Sequence, residues 1–300
     1  MSPIRFEPGL YVAATPIGHL GDMTDRVRQA LVACDQIYAE DTRRAQQLLT
    51  ALSLHRQRDT IHALHEHNED SAAQGVLRHL QEGASVLLIS DAGTPAISDP
   101  GFRVVNAVWQ AGYRVSPLPG ASALTAALSI CGFARWPICF WGFAPVKQNA
   151  RVTWLKQIKK VGGLAVMYEA PHRATESLAD CAEVLGADTP MLFGRELTKQ
   201  FETLFRSPIS IVQDQVATAQ KEDAGSAKGE MVWVFDLGQK DAKDQTDTGD
   251  QPNLEEWAQT LAQEMPAANA AKCLVKMLGV SRKEAYAAVL SAVAERQEQN

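Results

Sequence analysis

The feature that most constrains this chain is a four-residue run, Val86-Leu87-Leu88-Ile89, apolar at every position and bounded by Ser85 and Ser90. A strand with no polar face must be covered on both sides, the situation of a central strand in a parallel sheet. The surrounding sequence supports that reading. Strands are expected at 10–14, 36–40, 60–65, 85–90 and 114–118, and amphipathic helices at 24–33, 42–51, 71–81 and 101–110. Strands separated by helices imply crossover connections and a largely parallel α/β sheet.

After Pro119-Gly120 the pattern predicts a helix at 121–131, then a hinge-like stretch, Gly132-Phe133-Ala134-Arg135-Trp136-Pro137. The second half reads as strand 138–142, helix 151–160, strand 164–168, helix 174–185 and strands 191–195, 202–206 and 231–237. Consecutive late strands point to a mixed sheet. This places an α/β domain over 1–134, a second α/β domain over 135–238, an acidic linker over 239–253 and a helical tail over 254–300. The linker sequence KDAKDQTDTGDQPN has no large apolar residue and cannot build a core. In the tail, helical patterns at 254–263, 267–278 and 283–294 suit either a helix-turn-helix or a plain helical cap. Gly279 reads as a helix stop and Ser281 as a cap.

A length of 300 residues and a 46% hydrophobic share give ample material for two cores. The net charge of −6 excludes a protein that coats nucleic acid through overall basicity and leaves only a local patch for such contacts. The five cysteines are odd in number and form no C-x-x-C pair, which suits reduced thiols in the cytoplasm. The N-terminus, with an acid and two prolines before any apolar run, does not read as a secretory leader. No apolar stretch is long enough for a membrane span.

The residues with chemistry cluster just after expected strands, where ligands bind in open α/β sheets. After the first strand comes TPIGHLGD, with neither a Walker loop nor a dinucleotide fingerprint. After the second comes EDTRR, where Asp41 or Thr42 can cap a helix and the arginines suit a phosphate or carboxylate. After the third comes HEHNE. Histidines at i and i+2 on a strand with Glu69 nearby suit a metal, but no second ligand pair has fitting spacing. No metal is therefore expected, and hydrogen bonding to substrate or helix capping by Asn68 remains. After the fourth comes SDAGTPAISDPG, twelve residues with almost no bulk, twice what a turn needs. It offers amides, hydroxyls and carboxylates to a zwitterionic ligand, while Ser98 or Asp99 with Pro100 can start the next helix. PGASA follows the fifth strand. In the second half Lys147, Arg151, Lys156, Lys159 and Lys160 carry +5 with no acid between them, just after Phe140-Trp141-Gly142-Phe143. Cations beside aromatics suit single-stranded nucleic acid; a solvated helix face is the simpler alternative.

Taken in order, TPIG, EDTR, HEHNE, SDAGTPAISDPG, PGASA, YEAPHR, GRELTK and KGE resemble the ribosomal RNA small subunit methyltransferase I family, in the tetrapyrrole methylase superfamily. His19 departs from the asparagine usual there. The resemblance implies two α/β domains with S-adenosylmethionine in the cleft between them, and a homodimer. It also implies 2′-O-methylation of a cytidine ribose in the decoding region of 16S rRNA, in the small ribosomal subunit. By motif position, Pro16, Ala92, Gly93, Thr94, Ile97, Ser122, Ala123 and Glu169 would line the cofactor pocket, with Asp91 facing its positive groups. A general base is needed to take the hydroxyl proton. Asp41, His67 and Glu69 are candidates, as is water. Arg43, Lys147, Arg151, Arg173 and Lys199 are candidate phosphate contacts, along with Lys156, Lys159 and Lys160. Two other readings stand beside this one: a small-molecule tetrapyrrole methylase and a non-catalytic RNA-binding assembly factor.

Overall fold

Strand β4 (Ser85–Ile89) is buried at all five positions and sits in the middle of a five-stranded, all-parallel sheet. Its neighbours are β1 (Gly9–Ala13) and β2 (Gln36–Ala39), flanked by β5 (Val115–Leu118) and β3 (Ile61–Ala63), in the order β3-β2-β4-β1-β5. The computed structural model describes residues 6–223, 225, 228–238 and 254–298. Successive side chains of a strand point to opposite faces, so β4 serves two cores. Leu87 and Ile89 pack with Val27, Leu31 and Leu49 of α1 (Asp25–Ala33) and α2 (Thr42–Ala51). Val86 and Leu88 pack with Val76, Val104 and Val108 of α3 (Glu69–Gln81) and α4 (Phe102–Gln110). The α/β alternation read from the sequence is therefore the architecture.

The second sheet has the order β6-β7-β10-β8-β9. Its strands are β6 (Ile138–Phe143), β7 (Leu164–Glu169), β8 (Pro190–Arg195), β9 (Thr203–Pro208) and β10 (Met231–Asp236). Only β6 and β7 are parallel; the remaining pairs are antiparallel, the mixed sheet expected. On β10, Met231, Trp233 and Phe235 face helices α6 (Gln148–Val161), α7 (Ala174–Leu185) and α8 (Ile209–Glu222). Val232 and Val234 face the other way, onto Ala127 and Cys131 of α5 (Ala123–Cys131). A division after residue 134 would group α5 with the first sheet, yet its buried residues share a core with β7, β8 and β10. Helix α8 has no counterpart among the expected elements. Its buried stripe is only Ile209, Val212 and Val216.

The tail forms a unit of its own, beginning after Gln239. Helices α9 (Leu254–Glu264), α10 (Ala267–Leu278) and α11 (Arg282–Glu298) enclose a small core of Ala258, Ala270, Leu274, Ala285 and Val289. Gly279 ends α10 in the left-handed region, where glycine carries no Cβ penalty. Ser281 and Glu284 form a reciprocal capping box: the Glu284 amide donates to Ser281 Oγ, and the Ser281 amide to a Glu284 carboxylate oxygen. The expected linker at 239–253 lies outside the described residues.

One residue of the basic run is structural. Arg151 is 1% exposed. Its Nε donates to Asp180 on α7 at 2.6 Å, and its Nη1 donates to the carbonyls of Pro145 and Val146. Gln148 completes the Asp180 carboxylate. The expectation that Arg151 meets a phosphate is corrected: its guanidinium is spent inside the fold, tying α6 to α7. Removing one partner of a buried pair strands the other charge. Arg151→Ala should therefore lower unfolding stability by about 3–5 kcal/mol in denaturant titration. Lys156→Ala on the exposed face of the same helix should change it by no more than about 0.5 kcal/mol.

Candidate active site

The strand order reverses between β4 and β1, because the chain leaves β1 toward β2 and leaves β4 toward β5. Such a switch point opens a crevice at the carboxyl ends of the strands. Here the two loops bordering it are clipped together. The Thr15 amide donates to the Gly93 carbonyl at 2.8 Å, and the Gly93 amide to the Thr15 carbonyl at 3.0 Å. Thr15 Oγ1 also donates to the Ser90 carbonyl, and Thr94 Oγ1 to the Ala121 carbonyl. Gly93 sits at φ +82°. Ala96 and Ser98 are held at φ +64° and +65°, conformations that cost a non-glycine residue about 1–2 kcal/mol each. Strain of this kind collects where a backbone is shaped for a ligand.

The opposite wall comes from the second sheet. Gly18 lies so close to the loop after β8 that a Cβ there would collide with the Thr198 and Lys199 side chains. His19 donates its amide to Thr198 Oγ1 at 3.1 Å. Between the walls lies a cavity of about 360 Å³. Ile17, Leu197, Met231 and Val232 supply apolar surface, and Phe143 and Tyr168 supply aromatic rings. Those rings meet edge to face, their centroids 5.4 Å apart. The N-terminus of α5 opens here through Ser122 and Ala123, and Ser122 makes no side-chain cap to its own helix.

Five carboxylates (Glu40, Asp91, Asp99, Glu169 and Glu230) and one guanidinium, Arg44, line the cavity. Asp91 accepts from the Asp41 amide at 3.1 Å and pairs with Arg44 at 3.2 Å. Burial, reinforced by Asp91, raises Glu40, and burial also raises Asp91. Asp99 is raised furthest, from 3.8 to about 6, by burial first and then by the charge of Glu40. Glu169 differs from these. It is 1% exposed, with its carboxylate held by Arg173, the Ala170 amide and the Ser177 hydroxyl.

Of the residues expected to contact a cofactor, Asp91, Ala92, Gly93, Thr94 and Ile97 line this cavity. So do Ser122, Ala123 and Glu169, the last with its carboxylate already committed. Pro16 does not; its neighbour Ile17 takes the place. The three candidate bases lie elsewhere. Asp41 caps α2, and hydrogen bonds from the Arg43 side chain and amide hold it far below the carboxylate range. Glu69 accepts from the Gly101 amide at 2.6 Å, and Arg103 approaches its other oxygen, which ties α3 to the start of α4. His67 is exposed in a turn, because β3 stops at Ala63 and the two histidines never share a strand face. Asn68 shapes that turn by accepting from the His65 amide and donating to the Ala63 carbonyl, rather than by capping α3.

The basic candidates divide in the same way. Arg43 is paired with Asp41, Arg173 with Glu169, and Lys199 with both Glu196 and Glu230. Lys159 donates to the Val184 carbonyl at 2.6 Å. Lys147, Lys156 and Lys160 are exposed and have no ion-pair partner among the described residues. The residue most conspicuously missed from sequence is Asp99. It reads there as a helix start, whereas the cap of α4 is Gly101 at φ +130°.

Residues 9–212 match the family described as Tetrapyrrole (Corrin/Porphyrin) Methylases. The chain belongs to this family. Within it, the chain is a member of the ribosomal RNA small subunit methyltransferase I group. It is 39% identical to the protein of that name from Vibrio cholerae, covering 93% of both chains. It is 40% identical to that from Mesorhizobium japonicum, covering 95% of this chain and 92% of the other. Residues 248–292 match the RsmI C-terminal HTH domain, which favours the helix-turn-helix reading of the tail over a plain cap. Among solved structures, diphthine synthase superposes with a TM-score of 0.55 at 14% identity, covering 75% of this chain and 88% of its own. The methyltransferase CobJ superposes at 0.54 and 17%, covering 76% and 93%. The tetrapyrrole methylase fold is thus shared at low identity.

The raised Asp99 carboxyl has a consequence for stability in this member of the family. Its folded-state value lies above its unfolded one, so the folded protein binds more protons between about pH 4 and 6. The charged form is therefore a penalty that is fully present above pH 6 and vanishes below 4. Asp99→Asn should raise the melting temperature at pH 8, with the difference closing as pH falls toward 4. An equal or lower melting temperature at pH 8 would contradict the burial described above.

Proposed function

We propose that this protein is an S-adenosylmethionine-dependent rRNA methyltransferase. Its substrate is the 2′-hydroxyl of a cytidine ribose in the decoding region of 16S rRNA, within the small ribosomal subunit. The observation that carries this reading is the near full-length likeness to ribosomal RNA small subunit methyltransferases I. A structural neighbour, uroporphyrin-III C-methyl transferase from Thermus thermophilus, is described in complex with S-adenyl homocysteine.

The residues of the cavity fit the cofactor. S-adenosylmethionine supplies a methyl group on a positively charged sulfur, and it carries an ammonium and a carboxylate. An acid-rich cavity whose one arginine is already paired with Asp91 favours the cationic groups. The α5 N-terminus with an uncommitted Ser122 suits the carboxylate. The small side chains of Ala92, Gly93 and Thr94 let the main chain approach. The protein's task is then to align the hydroxyl and exclude water, which supplies much of the acceleration in a direct displacement.

RNA contact in this reading falls to Lys147 at the start of α6 and to Lys156 and Lys160, four residues apart along it. Val146 and Phe143, at 76% and 56% exposure, place apolar and aromatic surface beside them. We propose a cytoplasmic homodimer, as the likeness to the ribosomal RNA small subunit methyltransferase I family implies. All five cysteines are free, and no helix of the described residues is long and apolar enough to cross a membrane.

The direct test offers labelled S-adenosylmethionine with three acceptors: unmodified small subunits, free rRNA and a tetrapyrrole. Label on a decoding-region cytidine ribose is expected, and label on the tetrapyrrole alone would overturn the substrate. Gly93→Val adds a β-branched side chain at φ +82° and should abolish cofactor binding in calorimetry. Lys156→Ala with Lys160→Ala should weaken RNA binding and flatten its salt dependence by about one to two units of slope. An unchanged slope would leave these lysines as plain surface.

A further inference from the structure

None of the groups that sequence reasoning offered as a base reaches the cavity, so the proton of the ribose hydroxyl needs another destination. A 2′-hydroxyl is a weak acid, and a base must lie within hydrogen-bond reach of it. The cavity carboxylates differ in how far their oxygens are already engaged. Glu169 is closed off by Arg173, Ser177 and the Ala170 amide. Asp91 spends one oxygen on the Asp41 amide and the other on Arg44. Glu40 accepts from the Asp91 amide at 3.4 Å. Glu230 is paired with Lys199 at 2.9 Å. Asp99 alone among the described cavity carboxylates has neither a cation nor a backbone amide on it. Among the described residues the Ser90 hydroxyl is the one neighbour that lowers its carboxyl against burial and the surrounding acids.

We propose that Asp99 is the general base of the methyl transfer, held half-buried at the cavity wall to accept the proton of the ribose hydroxyl. The inference rests on the reading of the cavity as a 2′-O-methylation site. The ribose oxygen forms its bond to the methyl carbon as the carbon–sulfur bond breaks. The hydroxyl proton passes to a carboxylate oxygen of Asp99, and the sulfur leaves as a neutral thioether.

Three features of the chain prepare this residue. Ser98 on one side is locked at φ +65° and Pro100 on the other has a restricted φ, so the backbone at Asp99 has little freedom. The Gly101 amide is pinned by Glu69, which anchors the far end of the loop. That gives Glu69 of the HEHNE motif a positioning role rather than a catalytic one. The groups facing Asp99 from every packed element are Glu40 after β2, Arg44 on α2, Asp91 on its own loop, Tyr168 on β7 and Glu230 before β10. Three of these five are carboxylates, the Tyr168 phenol is pushed further up by burial and stays neutral, and the one cation is engaged by Asp91. A carboxyl raised to about 6 is ionised at neutral pH yet remains basic enough to take a proton.

The experiment compares the unsubstituted protein with Asp99→Asn and Asp99→Ala, using unmodified small subunits. It measures S-adenosylmethionine affinity by calorimetry, single-turnover methyl transfer and the pH profile of that rate. It also follows the side-chain carboxyl in the unsubstituted, ligand-free protein by carbon NMR. We expect an Asp99 titration near pH 6, cofactor affinity retained in both variants, and transfer slowed by about 10²- to 10⁴-fold. The acid limb of the pH profile should disappear in Asp99→Asn, and added formate should partly restore Asp99→Ala. Cofactor affinity that falls in step with the rate would overturn the proposal and make Asp99 a ligand of the cofactor's cation. A rate within threefold of the unsubstituted protein would overturn it in favour of another base or water. If the unsubstituted protein transfers no methyl to RNA at all, the functional reading itself fails, and the inference with it.

Discussion

The reciprocal pair of hydrogen bonds between Thr15 and Gly93 is the constraint on which the site depends. Parallel pairing of β1 and β4 brings the ends of two strands side by side, but it does not by itself dictate where the following loops go. The clip does. It holds the TPIG loop against the SDAGTPAISDPG loop, turns Gly93 to a positive φ and leaves Ala96 and Ser98 in left-handed geometry. Gly18, just downstream, then fits against the loop after β8 only because it has no Cβ. The two sheets therefore meet around the switch point, and the space left between their loops is the cavity.

That cavity works against the stability of the protein. Gathering Glu40, Asp91 and Asp99 in a partly buried space with one paired arginine raises these three carboxyls instead of satisfying them. On the same wall Glu169 is closed off by Arg173 and Ser177, and away from the cavity Arg151 is paired with Asp180. The contrast separates the two kinds of polar group. Charge that serves the fold is paired, whereas among the described cavity carboxylates Asp99 is left with neither a cation nor a backbone amide. Functional sites often hold such an uncompensated arrangement.

Much of the fold was legible because hydrophobic periodicity is a local signal. The unbroken apolar run of Val86 to Ile89 and the stripes of α1 to α4 depend only on neighbours in sequence. Helix α8 was not legible, since three apolar residues among polar ones make a weak stripe. The position of α5 was also hidden: it follows β5 directly, yet its buried side chains belong to the core of the second sheet. The loops bearing the site stood out by their lack of bulk, although Asp99 passed as a helix start until Gly101 proved to be the cap.

The sequence by itself determined most of the strands and helices, α8 excepted, that the first sheet is parallel, and which loops surround a ligand site. Those properties follow from residue spacing and from turn chemistry. It also carried the family resemblance in ordered motifs. Only the tertiary structure decided which charges are free. Arg151 and Asp180 stand 29 positions apart, Lys199 and Glu230 stand 31 apart, and the partners of Asp91 come from another strand's loop. Whether a basic or acidic residue can meet a ligand depends on the partner that folding brings within about 3 Å. Sequence separation carries no information about that distance, and so only the folded chain singles out Asp99.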